Sequence, residues 1–496
     1  MAIDFQRLAF FGDSLTDDGN LPEPVRPDPP YFDGRFSNGP TYAEVLSRKL
    51  GIVADNVALG GAEASTESGD NPAQKLINLS AQVDAYLPGG NPFFGGGGSV
   101  ALGTAASILI GSNDFLNERP ATPAQGADLV NRIVGSISEA VSDLARAGVG
   151  HVILFTLPNI TDAPASRSLT PAQREASDDL IAATNQGIAS VVTQASSLIG
   201  ATLVDLNRLE AEIRVDRETF GLKVLETPLY TKVGDNLVST GVTSQASASQ
   251  VAFFDPLHPT ETVHKIIAAF AEATLKADQV VLRGNAGDAV NGSNGVDLVL
   301  SGRGADLVSG LGGDDALFGG AGNDTVGGGS GNDLLSGGGG DDFIRGKSGS
   351  DFIAGNNGAD TIIGEAGSDL IIGGAGGDTI LGGAGHDTFL FTNDGLGNGF
   401  DMINGNSGID TLQLTVSKRQ FDSANFKAEL RGFGDVIDNA PGSTYVFSSL
   451  DLSVTRVERI EVKVGGRIVY TDGAPAPAPN PALEALKQNA DLWNLI

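Results

Sequence analysis

Twelve aspartates recur at every ninth residue: Asp288, Asp297, Asp306, Asp315, Asp324, Asp333, Asp342, Asp351, Asp360, Asp369, Asp378 and Asp387. Each is followed two residues later by an apolar side chain, from Val290 to Phe389, and glycine stands two residues before all of them except Asp288, where Ala286 does. Carboxylates repeated at that density, with turn carbonyls left accessible by glycine, suit a hard, oxygen-seeking divalent cation. A second set of reactive side chains lies in four short blocks nearer the N-terminus. They are Phe11-Gly12-Asp13-Ser14-Leu15, Asn56-Val57-Ala58-Leu59-Gly60-Gly61-Ala62, Gly111-Ser112-Asn113-Asp114 and Asp255-Pro256-Leu257-His258-Pro259. A serine directly after a strand presents its hydroxyl at a sheet edge, facing the amides of the following helix. A glycine pair lets a backbone amide approach a ligand closely.

The elements that must hold the aspartates follow from the period. In each nine-residue unit six residues make a turn and three a short strand, so two units form one coil. The aspartates then alternate, Asp297, Asp315, Asp333, Asp351, Asp369 and Asp387 on one side and Asp288, Asp306, Asp324, Asp342, Asp360 and Asp378 on the other. Coils stacked about 4.8 Å apart turn each side into a column of carboxylates. Neighbouring charges repel by about 0.8 kcal/mol even in a water-like dielectric. One buried apolar residue per unit contributes roughly 1.5–3 kcal/mol, against about 1–2 kcal/mol for ordering each backbone residue. A bridging cation must supply the difference. A flexible Gly/Asp linker would not keep an apolar residue in phase twelve times. Asp401 and Asp410 restart the period after a fourteen-residue step and read, with the worn unit 283–291, as caps.

The units GGAGNDTVG (319–327), GGSGNDLLS (328–336) and GGAGGDTIL (373–381) fit the nonapeptide of a calcium-binding parallel β-roll. The stretch resembles the repeats-in-toxin (RTX) family of exported bacterial proteins. That resemblance implies calcium as a structural ion, type I secretion machinery as a partner and an extracellular location. Residues 281–413 carry 18 acidic and 4 basic side chains, a large share of the total net charge of −30. Such acidity speaks for cations and against nucleic acid or an anionic membrane. The absence of cysteine excludes disulfide and thiol chemistry. The start MAIDFQRLAFFGDS has no signal-peptide pattern, and no apolar run approaches the roughly 20 residues of a membrane helix. The Ala/Pro spacer Gly473–Pro481, a helical stretch and the acidic-apolar end Asp491–Ile496 resemble the C-terminal signal of type I substrates.

The four blocks sit in a pattern of alternating strands and helices. Strands are expected at Arg7–Gly12, Ala105–Gly111, His151–Leu157 and Ala201–Leu206. A helix over 127–145 sets Leu129, Val130, Ile133, Val134, Ile137, Val141 and Leu144 on one face, Thr170-Pro171 opens another, and Thr260–Leu275 is the last. The expected fold is a parallel, three-layer α/β sheet with its ligand site beyond the carboxyl ends of the strands. Taken in order, the blocks resemble the GDSL, or SGNH, hydrolase superfamily over about 270 residues. Gly34-Arg35-Phe36-Ser37-Asn38-Gly39-Pro40 is similar to its lipase/esterase branch. The resemblance implies a flavodoxin-like sheet, Ser14 as nucleophile, His258 as general base and Asp255 as the carboxylate that orients it. It implies an oxyanion hole from the amides of Ser14 and Gly61 and the side chain of Asn113, with Gly60 an alternative to Gly61. Asp13 and Asp114 are read as structural, Asp114 as a helix cap, and so are His151, His264 and His386. Pro22–Pro30 reads as a stiff loop near the serine, and Asn91–Gly98 as a glycine loop holding two phenylalanines.

These readings divide the chain into a hydrolase domain (1–278), a β-roll (279–413), a β-rich cap (414–472) and a spacer with an export signal (473–496). The expected activity is calcium-dependent cleavage of carboxylic esters or lipids through an acyl-Ser14 intermediate, with no catalytic cofactor and no transmembrane segment. The alternatives are a phospholipase or acyltransferase on the same fold, and a non-catalytic calcium-binding surface or matrix protein.

Overall fold

The computed structural model describes the chain except residues 1–4, 21–30, 34, 66–76, 88–99, 119, 121, 216–221, 223, 234–235, 245–247, 285, 393–398, 441, 479 and 482–496. The loops Pro22–Pro30 and Asn91–Gly98 and the acidic-apolar end lie outside the described residues. The chain forms two compact units, Met1–Lys276 and Ala277–Asn494.

In the first unit, β1 (Arg7–Gly12), β2 (Val53–Asn56), β3 (Thr104–Leu109), β4 (His151–Phe155) and β5 (Gly200–Val204) form one parallel sheet in the order β2-β1-β3-β4-β5. The described helices include α1 (Tyr42–Leu50), α2 (Leu79–Tyr86), α3 (Ser112–Asn117), α4 (Pro123–Arg146), α5 (Pro171–Ala195), α6 (Leu206–Val215) and α7 (Glu261–Lys276). Buried β1, β3 and β4 are almost continuously apolar because helices cover both of their faces. Leu129, Ile133, Ile137, Val141 and Leu144 of α4 are buried while Val130 and Val134 are only half-buried at the edge of that face, and Thr122 and Gln125 close a reciprocal cap at its start. Three strands end two residues earlier than their apolar runs. Gly111 turns the chain into α3 at φ 126°, the Leu157 amide donates to Asn185 Oδ1 at 2.7 Å, and Leu206 already begins α6. Strand β2 was not anticipated, being four residues long and partly exposed at the sheet edge.

Among the described residues the second unit is a roll of two sheets, one with 10 strands and one with 9, parallel except for the last pair in each, which is antiparallel. Consecutive repeat units enter opposite sheets, and each pairs with the unit eighteen residues away, as in Val308↔Val326 and Leu317↔Leu335. The apolar residues of the repeat, Val290 to Phe389, all point inward into one core and are at most 4% exposed. The strands are longer than the three residues expected. Leu307–Gly312 continues to pair through Leu311↔Gly329, because the leading glycines of the next unit stay extended enough to bond. Glycines two before the aspartates, Gly313 to Gly385, adopt positive φ, and a Cβ on any of Gly322 to Gly385 would overlap the carbonyl of its counterpart one coil earlier. Glycine there is a steric requirement of the stack.

Two expectations at the far end need correction. Asp401 and Asp410 do not cap the roll: their Oδ1 atoms accept from the amides of Asp378 (2.7 Å) and Asp387 (2.9 Å), so both columns continue across the longer connection. The end is covered by a helix as well as strands. Helix Ala424–Asn439 buries Phe426, Leu430 and Phe433 in the same core as Leu412, Phe447 and Ile460. Its apolar positions fall at four- and three-residue spacings, the signal that strand-like runs nearby obscured.

Candidate active site and carboxylate columns

Ser14 stands in the turn after β1, at the carboxyl end of a strand flanked by β2 and β3. Gly12 is needed there, because a Cβ would press on the Leu109 carbonyl and the Thr16 side chain. Gln82 of α2 clamps the same residue from both sides, its Oε1 accepting from Gly12 N at 2.9 Å and its Nε2 donating to Gly12 O at 2.8 Å. Asp13 Oδ1 accepts from Leu15 N at 3.0 Å, so this carboxylate holds the turn.

The residues of the last block close on the serine from 244 positions away. His258 Nε2 lies 3.0 Å from Ser14 Oγ, and His258 Nδ1 lies 2.9 Å from Asp255 Oδ2. Asp255 Oδ1 accepts from the amides of Leu257 and His258, each at 2.8 Å. Its Oδ2 also accepts from the Tyr31 hydroxyl at 2.6 Å. Burial alone would raise the carboxyl pKa. The hydrogen bond and charge of His258, with the Tyr31 hydroxyl and the His258 amide, outweigh it and pull the value down to about 2. Asp255 therefore only accepts, which assigns the Nδ1 proton to His258 and leaves the Nε2 lone pair for the serine.

Tyr31 and Phe36 escaped the sequence reading. The Phe36 ring sits 5.0 Å from the His258 ring, and Tyr31 packs against Phe36 and Phe254. Phe36 lies inside the Gly34–Pro40 stretch that had been noted, whereas nothing in the local pattern marks Tyr31. Tyr31→Phe keeps this packing and removes one of the hydrogen bonds to Asp255. A fall in kcat of about ten-fold is expected, with KM little changed, measured by steady-state kinetics on a soluble ester; unaltered kcat would mean the hydroxyl only packs.

The remaining expected residues fall as follows. Gly60 N donates to Asp17 Oδ2 at 2.8 Å, so its amide is already engaged. The Ser14 and Gly61 amides donate to nothing among the described residues, and Gly61 has φ 80°. Asn113 Nδ2 donates to Ala62 O at 2.9 Å, which fixes the amide and leaves its second N–H unspent. Asp114 is a clamp and not a helix cap: it accepts from Ala64 N, Ser65 N and Ser65 Oγ, and burial raises its pKa to about 7. His151 bonds Thr202, buried His264 accepts from Tyr42 N, and His386 accepts from Ile409 N.

Ser14, Asn113 and His258 open onto a cavity of about 140 Å³. Its walls are mainly apolar, with Leu116, Ile160, Leu209, Ile213, Leu222 and Ile267 among them, and Gly61 is not part of its lining.

The family model described as "GDSL-like Lipase/Acylhydrolase" matches residues 8–270, just over half of the chain. The chain belongs to the GDSL-like lipase/acylhydrolase family. A second model, "RTX calcium-binding nonapeptide repeat (4 copies)", matches residues 291–326, 328–353 and 354–389. This GDSL protein is 29% identical to the phosphatidylcholine-sterol acyltransferase of Aeromonas hydrophila over 51% of its own length and 73% of that protein. It is 26% identical to the thermolabile hemolysin of Vibrio parahaemolyticus over 53% of its length and 62% of that protein. With the esterase EstA of Pseudomonas aeruginosa it shares 25% identity over 55% of its length and 47% of that protein. The likeness to all three is partial, leaving between about a quarter and a half of each relative outside the match. Among the described residues no helix is long and apolar enough to cross a membrane.

The columns of the RTX roll pass one hydrogen bond per coil. Asp315, Asp333, Asp351, Asp369 and Asp387 each accept, on Oδ1, from the amide of the aspartate eighteen earlier. Asp306, Asp324, Asp342, Asp360 and Asp378 do the same on the other side. The Oδ2 atoms of Asp315, Asp333, Asp351, Asp360, Asp369, Asp378, Asp387 and Asp410 are buried without a hydrogen-bond partner among the described residues. Burial pushes these carboxyls up to about 6 to 8. A buried anionic oxygen with an idle lone pair, beside turn carbonyls, fits a calcium ion. No three His, Cys, Asp or Glu side chains converge on one point among the described residues, so backbone carbonyls would complete the donor set. Asp288 and Asp297 stand apart. Asp288 heads its column half-exposed, and Ser293 occupies both oxygens of Asp297.

Proposed function

We propose that this protein is a secreted serine hydrolase that cleaves carboxylic esters through an acyl-Ser14 intermediate, stabilised by calcium in its roll. The observation that carries the reading is the unbroken relay Ser14–His258–Asp255, with spacings of 3.0 and 2.9 Å. His258 Nε2 takes the serine proton as Oγ attacks the ester carbon. It returns that proton to the departing alcohol, and water then repeats the sequence to release the acid. Asp255, ionised throughout, steadies the imidazolium formed in each half. The Ser14 and Gly61 amides and Asn113 Nδ2 serve as donors to the oxyanion, each typically worth about 10²–10³ in rate. In the roll, the column aspartates from Asp306 to Asp387, with Asp401 and Asp410, would hold calcium, which neutralises the stacked carboxylates.

Replacement of Ser14 tests the reading, as argued below. The apolar cavity supports an acyl chain longer than acetate. Narrowing it by Leu209→Trp is expected to lower kcat/KM for octanoyl esters by about ten-fold or more relative to acetyl esters, read from a p-nitrophenyl ester ladder; an unchanged ratio would put the chain elsewhere.

A second reading is favoured by the similarity to an acyltransferase. Transfer of the acyl group from phosphatidylcholine to an alcohol differs from hydrolysis only in the acceptor of the second half. Chromatography of products from phosphatidylcholine with and without a sterol separates the two. A non-catalytic role for the protein sits poorly with a relay whose every hydrogen bond is made.

A further inference from the structure

The coils of the Asp297–Asp387 column leave gaps of one kind. At Gly310, Gly328, Gly346, Gly364 and Gly382 a Cβ would meet two oxygens, Oδ2 of the aspartate five residues on and the carbonyl of the matching glycine in the next coil. Glycine therefore keeps open a space lined by a carboxylate and a carbonyl, the donors that a hard divalent cation takes. The nonapeptides end with Asp387 and its apolar partner Phe389, but the gaps do not end with them. At Gly405 a Cβ would meet Asp410 Oδ2 and the carbonyl of Arg456. Asp410 is 0% exposed, and that oxygen has no hydrogen-bond partner among the described residues.

Arg456 belongs to the cap, and the strand register explains how it arrives there. Thr411 pairs with Arg459, which sets Glu458 opposite Asp410, where the next aspartate of the column would stand. The ladder accepts the substitute. Asp387 N donates to Asp410 Oδ1 at 2.9 Å, and Asp410 N donates in turn to Glu458 Oε2 at 3.0 Å. Arg456, two residues before Glu458, has φ 51°, the positive φ that glycine provides two residues before the aspartates, as Gly408 does at 147°. A residue 48 positions further on thus completes the last step of a repeat whose sequence it lacks. The other column ends differently: Asp401 N donates to a backbone oxygen, that of Asp451, at 2.9 Å.

We propose that a calcium ion sits between the last coil and the cap, held by Asp410, Glu458 and the Arg456 carbonyl, one site beyond those that the nonapeptides encode. The inference rests on the reading that the columns hold calcium. The local charge calls for a cation. Burial pushes the Asp410 carboxyl up to about 8, and the charges of Asp387 and Glu458 add to the rise. Among the described residues no basic side chain pairs with Asp410 or Glu458. Arg459, next along the strand, is committed to Glu461 Oε1 at 2.8 Å and to the Ala474 carbonyl at 2.9 Å. The ion would pin the cap to the roll, so that two segments distant in sequence share one metal.

Counting ions tests this. Full-length wild type and Glu458→Gln, dialysed to equilibrium in the same saturating calcium and read by atomic absorption, should differ by one bound calcium per chain. Glutamine can still accept from Asp410 N, so a purely structural Glu458 would leave the count unchanged. Glu461→Gln, at a residue that bonds Arg459 and Gln413 instead, should bind as many ions as the wild type. Circular dichroism in calcium checks that each variant folds; should Glu458→Gln fail to, Asp410→Asn is read in its place, with a deficit of at least one ion expected. Equal counts in wild type and variant, or an equal deficit in Glu461→Gln, would overturn the site. A wild type that binds no calcium at all would instead refute the reading beneath it.

Discussion

Ser14→Ala is expected to lower ester hydrolysis by about 10⁴- to 10⁶-fold while the calcium-loaded circular dichroism spectrum stays the same. Ser14 is 7% exposed, and its hydroxyl is what His258 Nε2 bonds. Removing it leaves water as the only nucleophile, although the oxyanion donors remain. His258→Ala should cost a similar factor, because the three groups act as one unit. Asp255→Asn should approach it, since an amide at that position can present a donor to Nδ1 and favour the wrong tautomer. Turnover of a soluble ester by Ser14→Ala within ten-fold of the wild type would reject the acyl-serine route altogether.

The second large effect is removal of calcium. In chelator at pH 8 the roll should lose most of its β signal, and calcium at roughly 10⁻⁴–10⁻³ M, the range of extracellular modules, should restore it. The pH dependence in chelator follows from the raised carboxyls of the columns. Their folded values of about 6 to 8 exceed the roughly 3.9 of an unfolded aspartate. The folded form therefore binds more protons, and this contribution to stability is fully present below about pH 4 and lost as pH rises through 6 to 8. Without the ion, the β signal should be stronger at pH 5 than at pH 8. With calcium the ranking should flatten, since the ion replaces the protons. Titration by far-ultraviolet circular dichroism checks both, and indifference to chelator at pH 8 would contradict the reading.

Much of this was legible in the residues. The nine-residue period announces the roll, its inward side chains and the alternation of its columns, because a solenoid writes its geometry directly into spacing. The alternation of strands and helices leads to a parallel α/β sheet, which the structure contains. Asp255 and His258 share one turn, so their pairing is local and readable. Their approach to Ser14 across the unit is not local, and only the resemblance suggested it. Tyr31 illustrates what spacing leaves out. It reaches Asp255 through tertiary packing against Phe254, and a tyrosine after a proline-rich stretch carries no mark of that. The helix Ala424–Asn439 was hidden for a different reason. A solenoid end asks only for a cover, and a helix or a hairpin satisfies the exposed edges equally well. Asp401 and Asp410 were misread because a longer connection breaks the count in sequence while the stack in space stays continuous.

That continuity makes the roll modular in steps of two units. Deleting eighteen residues from its middle would bring the next aspartate to the place of the lost one, on the same side and facing the same neighbour. Deleting nine would send every downstream strand to the opposite sheet and break the pairing of each aspartate with its neighbour one coil away. Length in this half of the molecule is thus a variable that evolution or an engineer can adjust in even numbers, without asking the hydrolase half to change.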